Sequence, residues 1–213
     1  LNSQKLYGAV SVLELLDERT LFLEDTGGIS LKAYCNQNKI SLLNFFPIAI
    51  QISNCLNEIH KNNIIHKDIK PSNIIINLET SEIKLTDFGI ATILTQEFIS
   101  LNNRLEGTIE YISPEQTGRT GLALDYRTDL YSLGVTFYEL LAGRLPFESN
   151  DLNQIIHFHL AQTPSSVIKY NGKIPTALSS IVSKLLAKSP EERYQGADGL
   201  RLDLEELFSY LEI

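Results

Sequence analysis

The stretch His66-Lys67-Asp68-Ile69-Lys70-Pro71-Ser72-Asn73 (HKDIKPSN) decides how this chain is read. It puts two lysines, a histidine, a carboxylate, a proline and an amide into eight residues. Ile64-Ile65 precedes it and Ile74-Ile75-Ile76 follows it. Short β-branched runs of this kind read as buried strands. A charged loop clamped between two strands can aim several polar side chains into one cleft. Asp68 offers a carboxylate to accept or orient a proton. Asn73, five residues on, offers a hard amide oxygen suited to Mg²⁺. Lys70 brings a compact cation to the same cleft, where it could neutralise phosphate charge. Pro71 fixes one backbone angle and stiffens the turn.

One hairpin further on stands Asp87-Phe88-Gly89, directly after the run Ile83 to Leu85. Asp87 adds a second hard oxygen ligand near Asn73. Two acids, an amide and a lysine suit metal-assisted phosphoryl transfer, in which catalysis is positioning plus charge neutralisation.

The rest of the chain reads as a strand-rich start and a helix-rich remainder. Strands are predicted at Ala9 to Leu16 and Thr20 to Leu23, with Asp17-Glu18-Arg19 as the turn. Glu24-Asp25-Thr26-Gly27-Gly28 breaks the pattern as a loop. A helix is predicted from Leu42 to His60, with Ser41 as N-cap and Pro47 in its first turns. Glu79-Thr80-Ser81 turns between the strands Ile74 to Ile76 and Ile83 to Leu85. Asp87 to Glu115 is irregular, a loop long enough to be functional. Asp129 to Ala142 is a helix buried nearly all round, stopped by Gly143. Further helices are expected near Leu152 to Ala161, Ala177 to Ala187 and Ala197 to Leu207. The class is α+β.

Composition narrows the function. Of 213 residues 43% are hydrophobic, enough for a sizeable core. A net charge of −8 with no basic run argues against a nucleic-acid or anionic-membrane surface. No apolar run approaches the roughly 20 residues of a bilayer span, and the longest, near Phe45 to Ile52, is broken by Pro47 and Gln51. Cys35 and Cys55 have no metal-ligand spacing and read as small apolar residues of a reducing compartment, here the cytoplasm. His157 and His159 face apart on a helix, so they read as partly exposed helix residues rather than a metal pair. His60 reads as structural.

With both motifs in view, the chain resembles a protein kinase: a catalytic loop, then Asp-Phe-Gly, then Ser113-Pro114-Glu115 closing the activation segment. Gly107-Thr108-Ile109-Glu110-Tyr111 resembles the segment that receives the substrate residue. Asp129-Leu130-Tyr131-Ser132-Leu133-Gly134 resembles the start of the buried central helix. Pro190-Glu191-Glu192-Arg193-Tyr194 resembles a late motif whose arginine pairs with the Pro-Glu glutamate. The likeness runs from near residue 6 to about 205.

The resemblance implies roles, residue by residue. Asp68 would orient the substrate hydroxyl and accept its proton, and Lys70 would contact the γ-phosphate of ATP. Asn73 and Asp87 would hold Mg²⁺. Glu24 to Thr26 would be the hinge that pairs with adenine, with Leu23 guarding the pocket behind it and Ile75 forming its floor. His66 would pack under Phe88, Asp129 would accept backbone donors from the catalytic loop, and Glu115 and Arg193 would form a buried ion pair. Lys70 and Thr108 match serine/threonine rather than tyrosine kinases, so the implied partner is a protein substrate with Ser or Thr acceptors.

Two departures carry expectations. Lys67 stands where most kinases have arginine, and it lacks the bidentate fork that grips a loop phosphate. Activation is therefore expected not to depend strongly on phosphorylation at Thr92, Thr95, Ser100 or Thr108. Also, no Gly-x-Gly-x-x-Gly and no strand lysine precede Ala9, the chain contains no methionine, and it opens on Leu1. The expectation is a piece of a longer reading frame. Residues 1–28 would be the remnant of the smaller kinase lobe, with its last strands and the hinge, and residues 29–213 the larger lobe. Such a piece would bind ATP and transfer phosphate poorly by itself, though its parent would do both. The run Thr108 to Arg119 with Asp125 to Tyr131 is also similar to the N-terminal kinase domain of large bacterial hybrid serine/threonine–histidine kinases, which implies further signalling domains in the parent. Two rivals are a small-molecule kinase, which usually lacks the Ser-Pro-Glu segment and the Asp-x-Tyr-Ser-x-Gly helix, and a non-catalytic scaffold, against which Asp68, Asn73 and Asp87 argue.

Overall fold

The computed structural model describes residues 6–17, 20–93 and 107–211. The turn residues Glu18 and Arg19, and Thr95 and Ser100 of the long loop, lie outside them. Two strands, β1 (Val12–Asp17) and β2 (Thr20–Leu23), pair antiparallel with Val12 opposite Leu23 and Asp17 opposite Thr20. Asp17 is thus the last strand residue rather than a turn residue. The strand expected from Ala9 begins at Val12, because Ala9 forms a separate parallel bridge to Leu85. The Val10 amide donates to Leu85 O at 2.8 Å and the Leu85 amide donates to Gly8 O at 2.7 Å.

A three-stranded sheet follows, with β5 (Ile74–Ile76) between β3 (Ile29–Ser30) and β6 (Ile83–Leu85), all antiparallel. Side chains alternate across a strand. Ile74 and Ile76 are therefore buried in the core while Ile75 stays half-buried on the other face. The two strands flanking the opening octapeptide are thus β4 (Ile64–Ile65) and β5, and β4 pairs with β7 (Thr92–Ile93) inside the segment expected to be irregular.

Helix α1 (Leu31–Gln37) escaped the sequence reading, although Ser30 caps it by accepting the Ala33 amide at 3.2 Å. Helix α2 (Leu42–Lys61) begins at its expected cap, Ser41, which accepts from Asn44. Pro47 falls in the second turn, among the first turns as expected. It is exposed there, as is Leu43, whose carbonyl loses its helical donor to the proline ring and can be solvated. The opposite face buries Phe45, Phe46, Ile52, Leu56 and Ile59. Phe45 meets Phe137 edge-on at 5.2 Å, and Phe46 stacks on Phe208 at 5.1 Å.

Those partners belong to α3 (Arg127–Ala142) and α6 (Ala197–Tyr210). Helix α3 is buried along almost its whole length and ends at Gly143, whose φ of 70° is the left-handed cap glycine favours. Gly134 lets α5 (Thr176–Leu185) approach closely, since a Cβ there would lie 2.7 Å from Leu185 Cβ. Helix α4 (Leu152–Ala161) closes the larger helical layer. No helix among the described residues is long and apolar enough to cross a membrane.

His159 on α4 is fully buried rather than partly exposed as expected, and its Nδ1 lies 2.9 Å from the Tyr131 hydroxyl. Burial, aided by the nearby Lys188 charge, lowers its pKa from 6.5 to about 3. The folded imidazole is neutral, while the unfolded chain takes up a proton below about pH 6.5. Stability present at pH 7 should therefore fall by about 2 kcal/mol by pH 5 through this group. Urea unfolding at the two pH values should show that loss, and His159→Gln should flatten it.

Candidate active site

Asp129, in the first turn of α3, is wholly buried. Its Oδ2 accepts the His66 amide at 2.9 Å and its Oδ1 accepts the Lys67 amide at 2.7 Å. His60 Nε2 reaches the same carboxylate at 2.9 Å. A helix N-terminus favours a carboxylate, so α3 itself supports the charge. The carboxylate holds the octapeptide where its backbone is strained: Lys67 has φ 67°, a conformation that costs a non-glycine residue about 1–3 kcal/mol. The Lys67 carbonyl accepts from Gln116 Nε2 at 2.8 Å, and Gln116 Oε1 accepts the Ser113 amide at 3.0 Å. Gln116 therefore ties the Ser113-Pro114-Glu115 segment to the octapeptide.

Asp68 sits at the centre of the polar cluster. Its Oδ1 accepts the Thr108 amide at 3.0 Å and the Thr108 hydroxyl at 2.7 Å. Its Oδ2 accepts Lys70 Nζ at 2.6 Å and Asn73 Nδ2 at 2.9 Å. Lys70 Nζ also donates to the Thr108 hydroxyl. Burial alone would raise the Asp68 pKa, but the hydrogen bonds from Lys70 and Thr108 outweigh it and hold the carboxyl below its ordinary value. Asp68 is therefore ionised at neutral pH.

Strand pairing brings Asp87 to this cluster. Ile74 is opposite Leu85, and the ladder continues with the Thr86 amide donating to Asn73 O at 3.0 Å. Asp87 follows with φ 64° and an exposed side chain. Among the described residues Asn73 Oδ1 meets the Ser72 hydroxyl, at 3.2 Å. Asn73 and Asp87 thus present hard oxygens from neighbouring strand ends. Among the described residues no three His, Cys, Asp or Glu side chains form a metal cage. Two protein oxygens suit Mg²⁺, which keeps its waters and shares phosphate oxygens rather than filling an all-protein site. His66 packs against Phe88 at 4.7 Å and its Nε2 lies 3.0 Å from Thr86 O.

The loop Glu24 to Gly28 lies against the other face of β5. Ile75 is opposite Ser30, and a Cβ on Gly28 would come within 2.7 Å of Ile75 Cγ2. The Glu24 amide donates to Ser11 O at 2.9 Å. Two residues that sequence reasoning missed hold this loop. Lys84 pairs with the Glu24 carboxylate at 2.6 Å, and Asn77 Nδ2 donates to Thr26 O at 2.8 Å. Lys84 is the β6 partner of Ile75, so strand register was the signal. Asn77 Oδ1 accepts the Glu79 and Thr80 amides, an Asx turn legible from asparagine before Glu79-Thr80-Ser81. Leu23 is partly exposed at the end of β2.

Glu115 and Arg193 are the most enclosed ion pair. Arg193 Nη1 and Nη2 donate to Glu115 Oε1 and Oε2 at 2.7 and 2.9 Å, with both side chains almost fully buried. The remaining guanidinium donors reach the carbonyls of Ala187, Arg127 and Lys188. Thr128 Oγ1 donates to Glu115 Oε1 at 2.8 Å. Every Arg193 N–H is thus satisfied, the condition under which a buried pair is tolerated.

The protein kinase domain model matches residues 1–202. This chain belongs to the protein kinase family. The kinase domain is 37% identical to the serine/threonine-protein kinase PrkC of Bacillus subtilis, over 93% of this chain and 31% of that protein. It is 32% identical to the probable serine/threonine-protein kinase PknB of Lactococcus lactis, over 96% of this chain and 32% of that protein. It is also 37% identical to the hybrid signal transduction histidine kinase G of Dictyostelium discoideum, over 78% of this chain and 7% of that protein. The chain thus spans about a third or less of these relatives.

Removing one partner of the Glu115–Arg193 pair should cost roughly 3–5 kcal/mol, because a charge is left buried alone. Urea unfolding of Arg193→Leu, Glu115→Gln and the double variant measures this. The double variant should cost less than the sum of the two single losses.

Proposed function

We propose that this domain transfers the γ-phosphate of ATP, with Mg²⁺, to a serine or threonine hydroxyl of a protein substrate. The observation that carries the proposal is the hydrogen-bonded cluster of Asp68, Lys70, Asn73 and Thr108, with Asp87 delivered beside it by strand register. In this reading the ionised Asp68 orients the acceptor hydroxyl and takes its proton as attack proceeds. Lys70 neutralises charge on the transferred phosphoryl group. Asn73 and Asp87 supply oxygens to a bound Mg²⁺, whose chemistry when present is to offset phosphate charge. Glu24 to Thr26 present hinge backbone to adenine, Leu23 closes the back of that pocket, and Ile75 lies beneath the ring. Phe88 and His66 pack together to support Asp87.

The same proposal treats residues 1–28 as the closing strands and hinge of the smaller lobe and 29–213 as the larger lobe. It places the domain in the cytoplasm, where ATP is abundant and free thiols such as Cys35 and Cys55 persist. The short coverage of the relatives supports a parent chain with further signalling domains.

The test compares ³²P transfer from ATP to a protein substrate by this segment, by a longer form carrying the sequence upstream, and by the longer form with Asp87→Ala. Transfer confined to the longer, unmutated form is the expected result. ATP binding without transfer in every form would replace the enzyme with a scaffold. Asp68→Asn in the longer form should lower kcat by about 10²–10⁴-fold, the usual contribution of a positioned base.

Activation is proposed not to depend strongly on a loop phosphate, since Lys67 is buried and lacks a guanidinium fork. Alanine at Thr92, Thr95 or Ser100 should leave kcat within about twofold. Thr108→Ala should lower it, because that hydroxyl bonds Asp68 and Lys70.

A further inference from the structure

A cavity of about 450 Å³ opens beside the catalytic loop, walled by Pro71, α1, the end of α3 and Tyr170-Asn171. Its charged lining residues are Lys32, Lys39 and Glu139. Glu139 does not act as a free acid there. Its Oε1 accepts Lys32 Nζ at 2.7 Å and its Oε2 accepts the Tyr111 hydroxyl at 2.5 Å. The Cys35 thiol in the wall is pushed up to about 11, chiefly by burial and then by the Glu139 charge, and adds no negative charge. Lys39 is exposed and has no ion-pair partner among the described residues. Around the Tyr170 ring stand two further cations: the Arg144 guanidinium 5.1 Å from its centre and Lys169 Nζ at 5.6 Å. Arg144 is partly balanced by Glu148 at 2.6 Å, and Lys169 has no ion-pair partner among the described residues. The two lysines and one carboxylate of the lining leave it one positive charge in a chain of net charge −8.

That place is set by two links to the reacting groups. Pro71, in the cavity wall, directly follows Lys70. Tyr111, which holds Glu139, lies three residues after Thr108. Pro71 is three residues from Asp68, so part of this wall lies within roughly 11 Å of it along the chain, a reach of a few peptide residues.

We propose that the cavity receives an acidic side chain, Asp, Glu or a phosphorylated residue, flanking the Ser or Thr acceptor of the substrate. The inference rests on the kinase reading above and adds the substrate class. Lys32 is its pivot, because it cancels the one carboxylate that would otherwise select for basic residues. Lys39 in the lining supplies the attraction and Lys169, outside it beside Tyr170, adds to it; both are exposed, so salt screens them.

The test uses the full-length protein and peptides that differ only in Asp, Ala or Lys scanned across each flank of one acceptor. At one flank Asp should lower KM at least about fivefold relative to Lys, and the gap should shrink in high salt. Lys32→Gln frees Glu139 and should reverse the preference. Lys39→Glu should abolish it. Thermal melting of both variants should stay near wild type, which separates lost specificity from lost fold. Equal KM values, or a preference for Lys in the wild type, would overturn the inference and leave the kinase reading intact. Binding of the same peptides with the acceptor changed to Ala, followed by fluorescence anisotropy, separates the two readings. Tighter binding of Asp peptides that Lys32→Gln reverses, without transfer to any peptide, would keep the acidic site and remove the kinase reading. No charge preference in binding would remove the site.

Discussion

The grip of the buried Asp129 carboxylate on the His66 and Lys67 amides is the constraint on which the rest of the site depends. Those amides belong to a loop with a left-handed residue at Lys67, and the two bonds from the carboxylate offset part of that strain. Asp129 can bear its charge in the core because it stands at the N-terminal turn of α3, with His60 beside it and two amides donating to it. The helix at the centre of the helical packing is therefore also the helix that aims Asp68.

From that anchor the order of the site follows by short covalent and hydrogen-bonded steps. Asp68 gathers Lys70, Asn73 and Thr108. Asn73 directly precedes β5, and β5 fixes β6, which ends one residue before Thr86 and two before Asp87. Gln116 returns the chain to Lys67, and Glu115 fastens the same segment to Arg193 nearly eighty positions away. The arrangement spans segments distant in sequence, yet each link is one or two bonds long.

The two ion pairs at the edges of this frame differ in kind. Glu115–Arg193 is dry, bidentate and fully hydrogen-bonded, so it works as a structural rivet. Lys32–Glu139 is half exposed at Lys32 and opens on a cavity, so its effect is on the charge a visiting peptide meets. Exposed pairs add little stability, which leaves the second pair free to serve recognition.

The sequence by itself determined the family and the chemical inventory. The octapeptide, Asp-Phe-Gly, Ser-Pro-Glu and the late arginine are local patterns, and local patterns survive without coordinates. The same holds for α2, capped by Ser41, and for α3, whose apolar residues on every side announced burial. Helix α1 was not legible, because seven residues give too little periodicity and its cap serine also ends β3. The roles of Asn77, Lys84, Gln116 and Tyr111 were also hidden, since each bonds a residue dozens of positions away. Only the tertiary structure decided that Glu139 is neutralised by Lys32 from 107 positions away, and hence what charge the cavity presents. Residue types are written along the chain, but which oxygen meets which nitrogen depends on how helices pack.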